Sequence, residues 1–129
     1  MKQEPTKYSF DDLLTDQRTT WDGVRNFQAR NNLRLMRAGD AVLFYHSTVG
    51  LEVVGICAVA KAAYADPSVS EGDWVVVDLV PKKKLKRGVT LEQIKATASL
   101  KNVGLIRQSR LSVMPLSKVE FDTIVKLGR

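Results

Sequence analysis

The chain has 129 residues, of which 44% are hydrophobic and 26% charged, a composition typical of one folded domain rather than a disordered chain. Its formal charge of +6 and its pI near 9.6 favour contact with a polyanion through counterion release. The single cysteine, Cys57, excludes an internal disulfide and a cysteine zinc cluster. Without a signal peptide or an apolar run near the roughly 20 residues of a membrane span, we expect a cytoplasmic protein, or a nuclear one in a eukaryote, with no membrane partner.

The first third of the chain predicts one short strand and two helices. Residues 1–5 have no helical pattern and end at Pro5, which indicates a short edge strand. A capping box beginning at Ser9 opens a short helix, and a loop through residues 19–20 leads to Trp21. We expect a second helix over residues 24–37. One of its faces, either solvated or contacting phosphates, carries Asn26, Arg30, Arg34 and Arg37.

The middle of the chain predicts three strands. Residues 41–45 are nearly all apolar, as in a strand buried on both faces. The next run, residues 53–60, has a bend or bulge at Gly55 and can extend to Tyr64. A third run, residues 74–80, continues into a basic segment that is either a charged edge against strand pairing or a phosphate patch. That segment contains Lys82, Lys83, Lys84, Lys86 and Arg87.

The last third predicts a short helix capped by Thr90, a short strand over residues 112–116 and a final helix capped by Ser117. The strands and helices do not alternate regularly, which argues against a doubly wound parallel sheet. The order indicates an α+β domain, formed by residues 1–129, on a mostly antiparallel, curled sheet with short flanking helices.

The sequence gives little sign of catalysis. The one histidine, His46, is followed by Ser47, and neighbouring side chains of a strand point to opposite faces. No phosphate loop or dinucleotide fingerprint is present, and one histidine among scattered acids predicts no metal site. We therefore expect a protein that is not an enzyme.

Several motifs together resemble the EVE domain family over nearly the whole chain. They are Met1-Lys2, Glu4-Pro5, Trp21-Asp22-Gly23-Val24-Arg25-Asn26, Gln28-Ala29-Arg30-Asn31, Gly39-Asp40, Phe44-Tyr45-His46-Ser47, Ala63-Tyr64, Asp66-Pro67, Trp74 and Arg110-Leu111-Ser112-Val113-Met114-Pro115.

The resemblance implies a PUA-like fold, with a five- or six-stranded curled sheet or pseudo-barrel and helices at its margins. It also implies a non-catalytic nucleic-acid-binding module that reads a modified base, with modified cytosine in DNA as the favoured ligand, and that uses no cofactor. Flipping a base from a duplex costs a few kcal/mol, which stacking on an aromatic ring partly offsets.

Carried onto this chain, the resemblance implies a pocket with Trp21 as a stacking wall and Arg25 and Asn26 as polar readers. Several of the implied residues also have a structural interpretation: Trp21 as core and Asn26 as a helix cap. Arg110 could likewise hold a carboxylate such as Asp78, and Tyr45 could be buried in the sheet with a bonded hydroxyl. The remaining implied pocket residues are Tyr45, His46, Ser47, Lys2, Glu4, Asp66, Pro67, Arg110, Leu111 and Ser112. Phosphate contacts are expected from Arg30, Arg34, Arg37, Lys82, Lys84, Lys86 and Arg87.

Three alternatives stay open at this point. The first is an RNA-binding PUA-like module that recognises modified or structured RNA. The second is a hydrolase that uses His46 and Ser47, and the third is a protein-interaction domain with a vestigial pocket. The chain departs from the family at Gln3, where serine is usual, and at Ala65, which replaces a proline, so the rim of the pocket is expected to differ. We expect a monomer.

Overall fold

The computed structural model describes residues 1–129 and contains five strands. They are β1 (Lys2–Gln3), β2 (Thr19–Trp21), β3 (Ala41–His46), β4 (Glu52–Ala65) and β5 (Val75–Thr90). The strands form one mixed, mostly antiparallel sheet in the order β1-β3-β4-β5-β2, in which only the β1–β3 pair is parallel. The predicted α+β class is confirmed. The sheet is open, with β1 and β2 as its edges, so it is a curled sheet rather than a pseudo-barrel.

Five short helices and a 3₁₀ turn flank the sheet. The three predicted caps are confirmed, because the hydroxyls of Ser9, Thr90 and Ser117 each accept a backbone hydrogen bond within a capping box. The 3₁₀ turn and the fourth helix had not been predicted from the sequence. The helices are α1 (Phe10–Asp16), α2 (Phe27–Leu35), α3 (Leu91–Ala96), α4 (Gly104–Arg107) and α5 (Lys118–Leu127), with the 3₁₀ turn at Ala98–Leu100.

Both faces of the sheet are buried, each under its own helices. Val42 and Phe44 of β3 point into a core that includes side chains of α1 and α2. Leu43 and Tyr45 alternate with them and point into a second core, which includes side chains of α3, the 3₁₀ turn and α5. This double burial explains why β3 consists almost entirely of apolar residues.

Gly55 lets α1 lie close to the sheet. A Cβ atom at this position would lie 2.3 Å from the Phe10 ring, so only glycine leaves room for that ring. The register of β4 against both of its neighbours shifts at this point, which confirms the predicted bend.

The second helix is shorter than predicted at both ends. Asn26 is its N-cap and accepts a hydrogen bond from the Ala29 amide at 2.9 Å, and Met36 is already extended. Residues 24–25 belong instead to the turn after Trp21, in which Gly23 has φ +75°. The helix buries Ala29 and Leu33.

Two predictions of strand and loop were wrong. Residues 19–21 form β2, paired with β5, and are not a loop. Residues 112–116 form no strand, because the Val113 carbonyl accepts a hydrogen bond from the Asn32 side-chain amide at 2.7 Å and Pro115 has no N–H to donate. The Ser112 carbonyl nevertheless accepts the Lys2 amide at 2.9 Å, so this segment still lies beside β1.

Candidate functional site

A polar cleft of about 520 Å³ lies along the β1 edge of the sheet. It unites six of the predicted pocket residues, which come from three separate stretches of the chain. Its volume lies within the range of ordinary ligand pockets. The six are Lys2, Glu4, Tyr45, Ser47, Arg110 and Ser112, and the other lining residues are Gln3, Lys7, Thr48, Leu51, Leu91, Leu105 and Ser109.

Backbone hydrogen bonds bring these three stretches together. The amides of Tyr45 and Ser47 donate to the carbonyls of Met1 and Gln3 at 2.8 and 2.9 Å, which ties β3 to β1. On the other side of β1, the Lys2 ammonium donates to the Ser109 carbonyl at 2.6 Å. Burial lowers the pKa of Lys2 below its usual range.

Several polar groups in the cleft have no partner within the protein. Arg110 is exposed and forms no ion pair, and the hydroxyls of Tyr45, Ser47 and Ser112 make no hydrogen bond to other side chains or to the backbone. Burial also raises the pKa of the Tyr45 phenol, so it remains a neutral hydroxyl at physiological pH. These groups can donate to, and accept from, the polar edge of a planar ligand.

His46 lies on the opposite face of β3 from this cleft, as strand alternation requires. Its Nε2 atom accepts a hydrogen bond from the Phe10 amide at 3.1 Å, and its ring lies edge-on to Phe44. Burial lowers the pKa of His46, so the ring is neutral at physiological pH. Leu111 also lies away from the cleft, with 4% of its surface exposed in the first core.

The other predicted pocket residues lie near the β2 edge of the sheet. Trp21 is 5% exposed and lies edge-on to Phe44, with ring centroids 5.6 Å apart. Arg25 forms an ion pair with Asp66 at 3.2 Å, whereas the neighbouring Pro67 is exposed. The structure therefore divides the predicted pocket residues between the two edges of the sheet.

Asp66 is almost fully buried, and each of its oxygens has a partner. Oδ1 accepts hydrogen bonds from the amide and hydroxyl of Ser68, and Oδ2 faces Arg25. The Ser68 hydroxyl is the main cause that lowers the pKa of Asp66, and Arg25 lowers it further. Asp66 thus closes the loop between β4 and β5 and fixes it to the turn after Trp21.

A second buried carboxylate, Asp78, holds the β2 edge itself. It accepts hydrogen bonds from Tyr64 at 2.6 Å, Arg18 at 2.8 Å and Thr20 at 3.0 Å. Burial by itself raises the pKa of Asp78, but the bonds from Tyr64, Arg18 and Thr20 outweigh it, so the pKa lies below its ordinary value. Its cationic partner is Arg18, not Arg110 as one interpretation of the sequence held.

The predicted phosphate contacts are on the surface, but some of their charges are already paired. Arg34 bridges Asp73 at 2.5 Å, and Lys84 bridges Asp11 at 2.8 Å. The remaining cations form no ion pair. They are Arg30 on α2, Arg37 just after that helix, and Lys82, Lys86 and Arg87 on β5.

Sequence reasoning missed an aromatic stack on the outside of α2. Phe27 and Trp74 lie nearly parallel, 14° apart, with ring centroids 5.3 Å apart. Phe27 opens the helix directly after its N-cap and is 66% exposed. The missed lining residues of the cleft, such as Ser109, carry no motif that could have identified them.

A second cavity, of about 690 Å³, lies between α2, β3 and α5 and is lined mostly by apolar side chains. Because 15 of its 22 lining residues are hydrophobic, it suits an apolar group better than the polar edge of a base. No group of three or more histidine, cysteine or acidic side chains could hold a metal ion. No helix has both the length and the apolar character needed to cross a membrane.

The model of the EVE domain family matches residues 1–127. The chain belongs to the EVE domain family. Thymocyte nuclear protein 1 of Mus musculus is 38% identical, in an alignment that covers 98% of this chain and 71% of that relative. The human protein of the same name is 36% identical, in an alignment that covers 98% of this chain and 72% of that relative.

Solved structures of other EVE domain proteins agree with this assignment. Rpa0253 from Rhodopseudomonas palustris has a TM-score of 0.94 and 38% identity, with 99% of this chain and 90% of that chain covered. Human THYN1 protein, solved in complex with 5-methylcytosine containing DNA, has a TM-score of 0.90 and 34% identity. The match covers 100% of this chain and 95% of that chain. ASCH from Zymomonas mobilis shares only 13% identity at a TM-score of 0.62, which shows the PUA-like fold alone.

Proposed function

We propose that this EVE domain binds DNA and reads a modified cytosine in the polar cleft. The observation that carries the proposal is the human THYN1 complex with 5-methylcytosine containing DNA, at 34% identity over the whole of this chain. The net charge of +6 supports it, because phosphate neutralisation drives such binding.

The cleft supports the proposal with groups suited to a base edge. Arg110 supplies a guanidinium fork, and the hydroxyls of Tyr45 and Ser47 donate or accept as the base requires. Lys2 adds a positive charge that a flanking phosphate can approach. Burial of a flipped base among these groups offsets part of the few kcal/mol lost on unstacking it.

We further propose that the domain has no catalytic activity of its own. The Nε2 lone pair of His46 is occupied by the Phe10 amide, so it is not free to act as a general base toward Ser47. The two side chains also point to opposite faces of β3.

The test is fluorescence anisotropy with one short duplex made in two forms, with a single 5-methylcytosine or with cytosine at the same position. We expect the wild type to prefer the modified duplex and Arg110→Ala to lose that preference. Arg129→Ala, which removes the same charge from an exposed position outside the cleft, is the matched control and is expected to retain it.

The same assay with an RNA duplex of the same sequence distinguishes a DNA reader from an RNA reader, since a reader of RNA contacts the ribose hydroxyls. A stronger preference for the modified RNA would replace DNA with RNA as the ligand. Equal affinity for the modified and unmodified forms of both would contradict a base-reading cleft.

A further inference from the structure

The Phe27–Trp74 stack stands outside the polar cleft, and no lining residue of the cleft belongs to it. Phe27 is 66% exposed, which is unusual for a large aromatic side chain already stacked on another ring. The inner ring, Trp74, belongs to the loop between β4 and β5. Its neighbour Asp73 forms an ion pair with Arg34 of α2, with 2.5 Å between nitrogen and oxygen, which holds this loop against the helix. The outer ring is therefore presented on a fixed support.

Two arginines flank this stack. The Arg25 guanidinium carbon lies 5.5 Å from the Trp74 centroid, and that of Arg30 lies 4.9 Å from Phe27 and 5.7 Å from Trp74. The Arg30 guanidinium lies over the Phe27 ring, yet 66% of Phe27 remains exposed, so much of its side chain is still open to solvent.

Arg30, beside this ring, forms no ion pair; the pKa of Asp73 is lowered chiefly by Arg34 and only at longer range by Arg30. Arg30 donates only to the neutral side chain of Asn31, at 3.2 and 3.3 Å, and no carboxylate lies within 4 Å of it. Arg37, which lies just after the end of α2, also forms no ion pair. An exposed aromatic ring with the unpaired guanidinium of Arg30 beside it matches a base and its adjacent phosphate.

We propose that the Phe27–Trp74 stack is a second nucleic-acid contact, on which an unpaired nucleobase stacks against Phe27 while Arg30 holds an adjacent phosphate. The contact selects single-stranded nucleic acid without regard to base identity, because every base presents a π-face. It acts independently of the polar cleft and does not rest on which base the cleft reads.

The experiment uses an unmodified single-stranded DNA octamer with 2-aminopurine at its centre, whose fluorescence is quenched when the base stacks. We expect the wild type to bind it with quenching, and Phe27→Ala to lose about tenfold in affinity together with the quenching. Phe27→Tyr keeps the ring and is expected to retain both. Leu35→Ala, which truncates another exposed apolar side chain of the same helix (72% exposed), is the matched control.

Thermal melts of each variant separate a lost contact from a lost fold. Wild-type affinity and quenching in a folded Phe27→Ala would overturn the proposal, as would equal losses in Phe27→Ala and Leu35→Ala. Loss of the preference for 5-methylcytosine in the duplex assay, with stacking intact, would count against the cleft and leave this contact in place.

Discussion

At the β2 edge of the sheet, Asp78 accepts hydrogen bonds from three side chains, whereas at the β1 edge Arg110 has no partner. Trp21 is likewise enclosed at the β2 edge, while Ser47 and Ser112 of the polar cleft are partly exposed at the β1 edge. The residue types at the two edges are similar, and any of these side chains has the chemical groups needed to contact a ligand. The difference shows that a polar or aromatic residue is available for binding only where the fold supplies no internal partner.

The largest expected effect of a substitution is at the enclosed edge, in Trp21→Ala. Removing this ring, which is 5% exposed and packs against Phe44, is expected to cost about 3–5 kcal/mol of unfolding free energy. Urea denaturation followed by circular dichroism measures it, with Trp21→Phe as a milder control. A loss below about 1 kcal/mol would contradict a core role and return Trp21 to the candidate pocket.

Asp78→Asn is expected to have the next largest effect. The amide keeps the shape but loses the charge toward Arg18, and hydrogen bonds to charged groups contribute about 1.5–3 kcal/mol each. We expect a loss of roughly 2 kcal/mol in the same denaturation assay. Asp122→Asn, at an exposed ion pair on α5, is the control and should change stability by less than about 0.5 kcal/mol.

The two buried carboxylates predict how the stability of the β2 edge varies with pH. The folded pKa values of Asp66 and Asp78 lie below the ordinary 3.8, so the unfolded chain binds more protons as the solution is acidified. Their stabilisation is complete above that value and is lost as the pH falls through the folded pKa values. Denaturation midpoints from pH 7 to pH 2 should fall less steeply for an Asp66→Asn, Asp78→Asn double variant than for the wild type.

The smallest effect on stability is expected at the open edge, in Arg110→Ala. Because this exposed arginine forms no ion pair, its loss should change the unfolding free energy by less than about 0.5 kcal/mol. Its affinity for duplex DNA should nevertheless fall about tenfold, as for the loss of a charge-assisted hydrogen bond. A large loss of stability with unchanged affinity for DNA would show that Arg110 supports the fold and does not bind the ligand.

Much of the fold was predictable because its signals are local. Capping boxes at Ser9, Thr90 and Ser117 depend on residues three apart, and the apolar run of β3 reflects burial on both faces. The strand predicted over residues 112–116 failed because the Asn32 side chain, distant in sequence, takes the place of a strand partner. The short β2 was missed because three residues carry too little pattern.

The sequence by itself determined the family, the α+β class and the identities of six residues that line the polar cleft. Only the tertiary structure decided which predicted pocket residues are brought together and which are enclosed. Contacts within the protein enclose Trp21, against Phe44, and pair Arg25 with Asp66, whereas Phe27 is exposed beside Trp74. The physical reason is that a hydrogen bond, an ion pair or a ring contact depends on distances across the sheet, which composition and spacing do not encode.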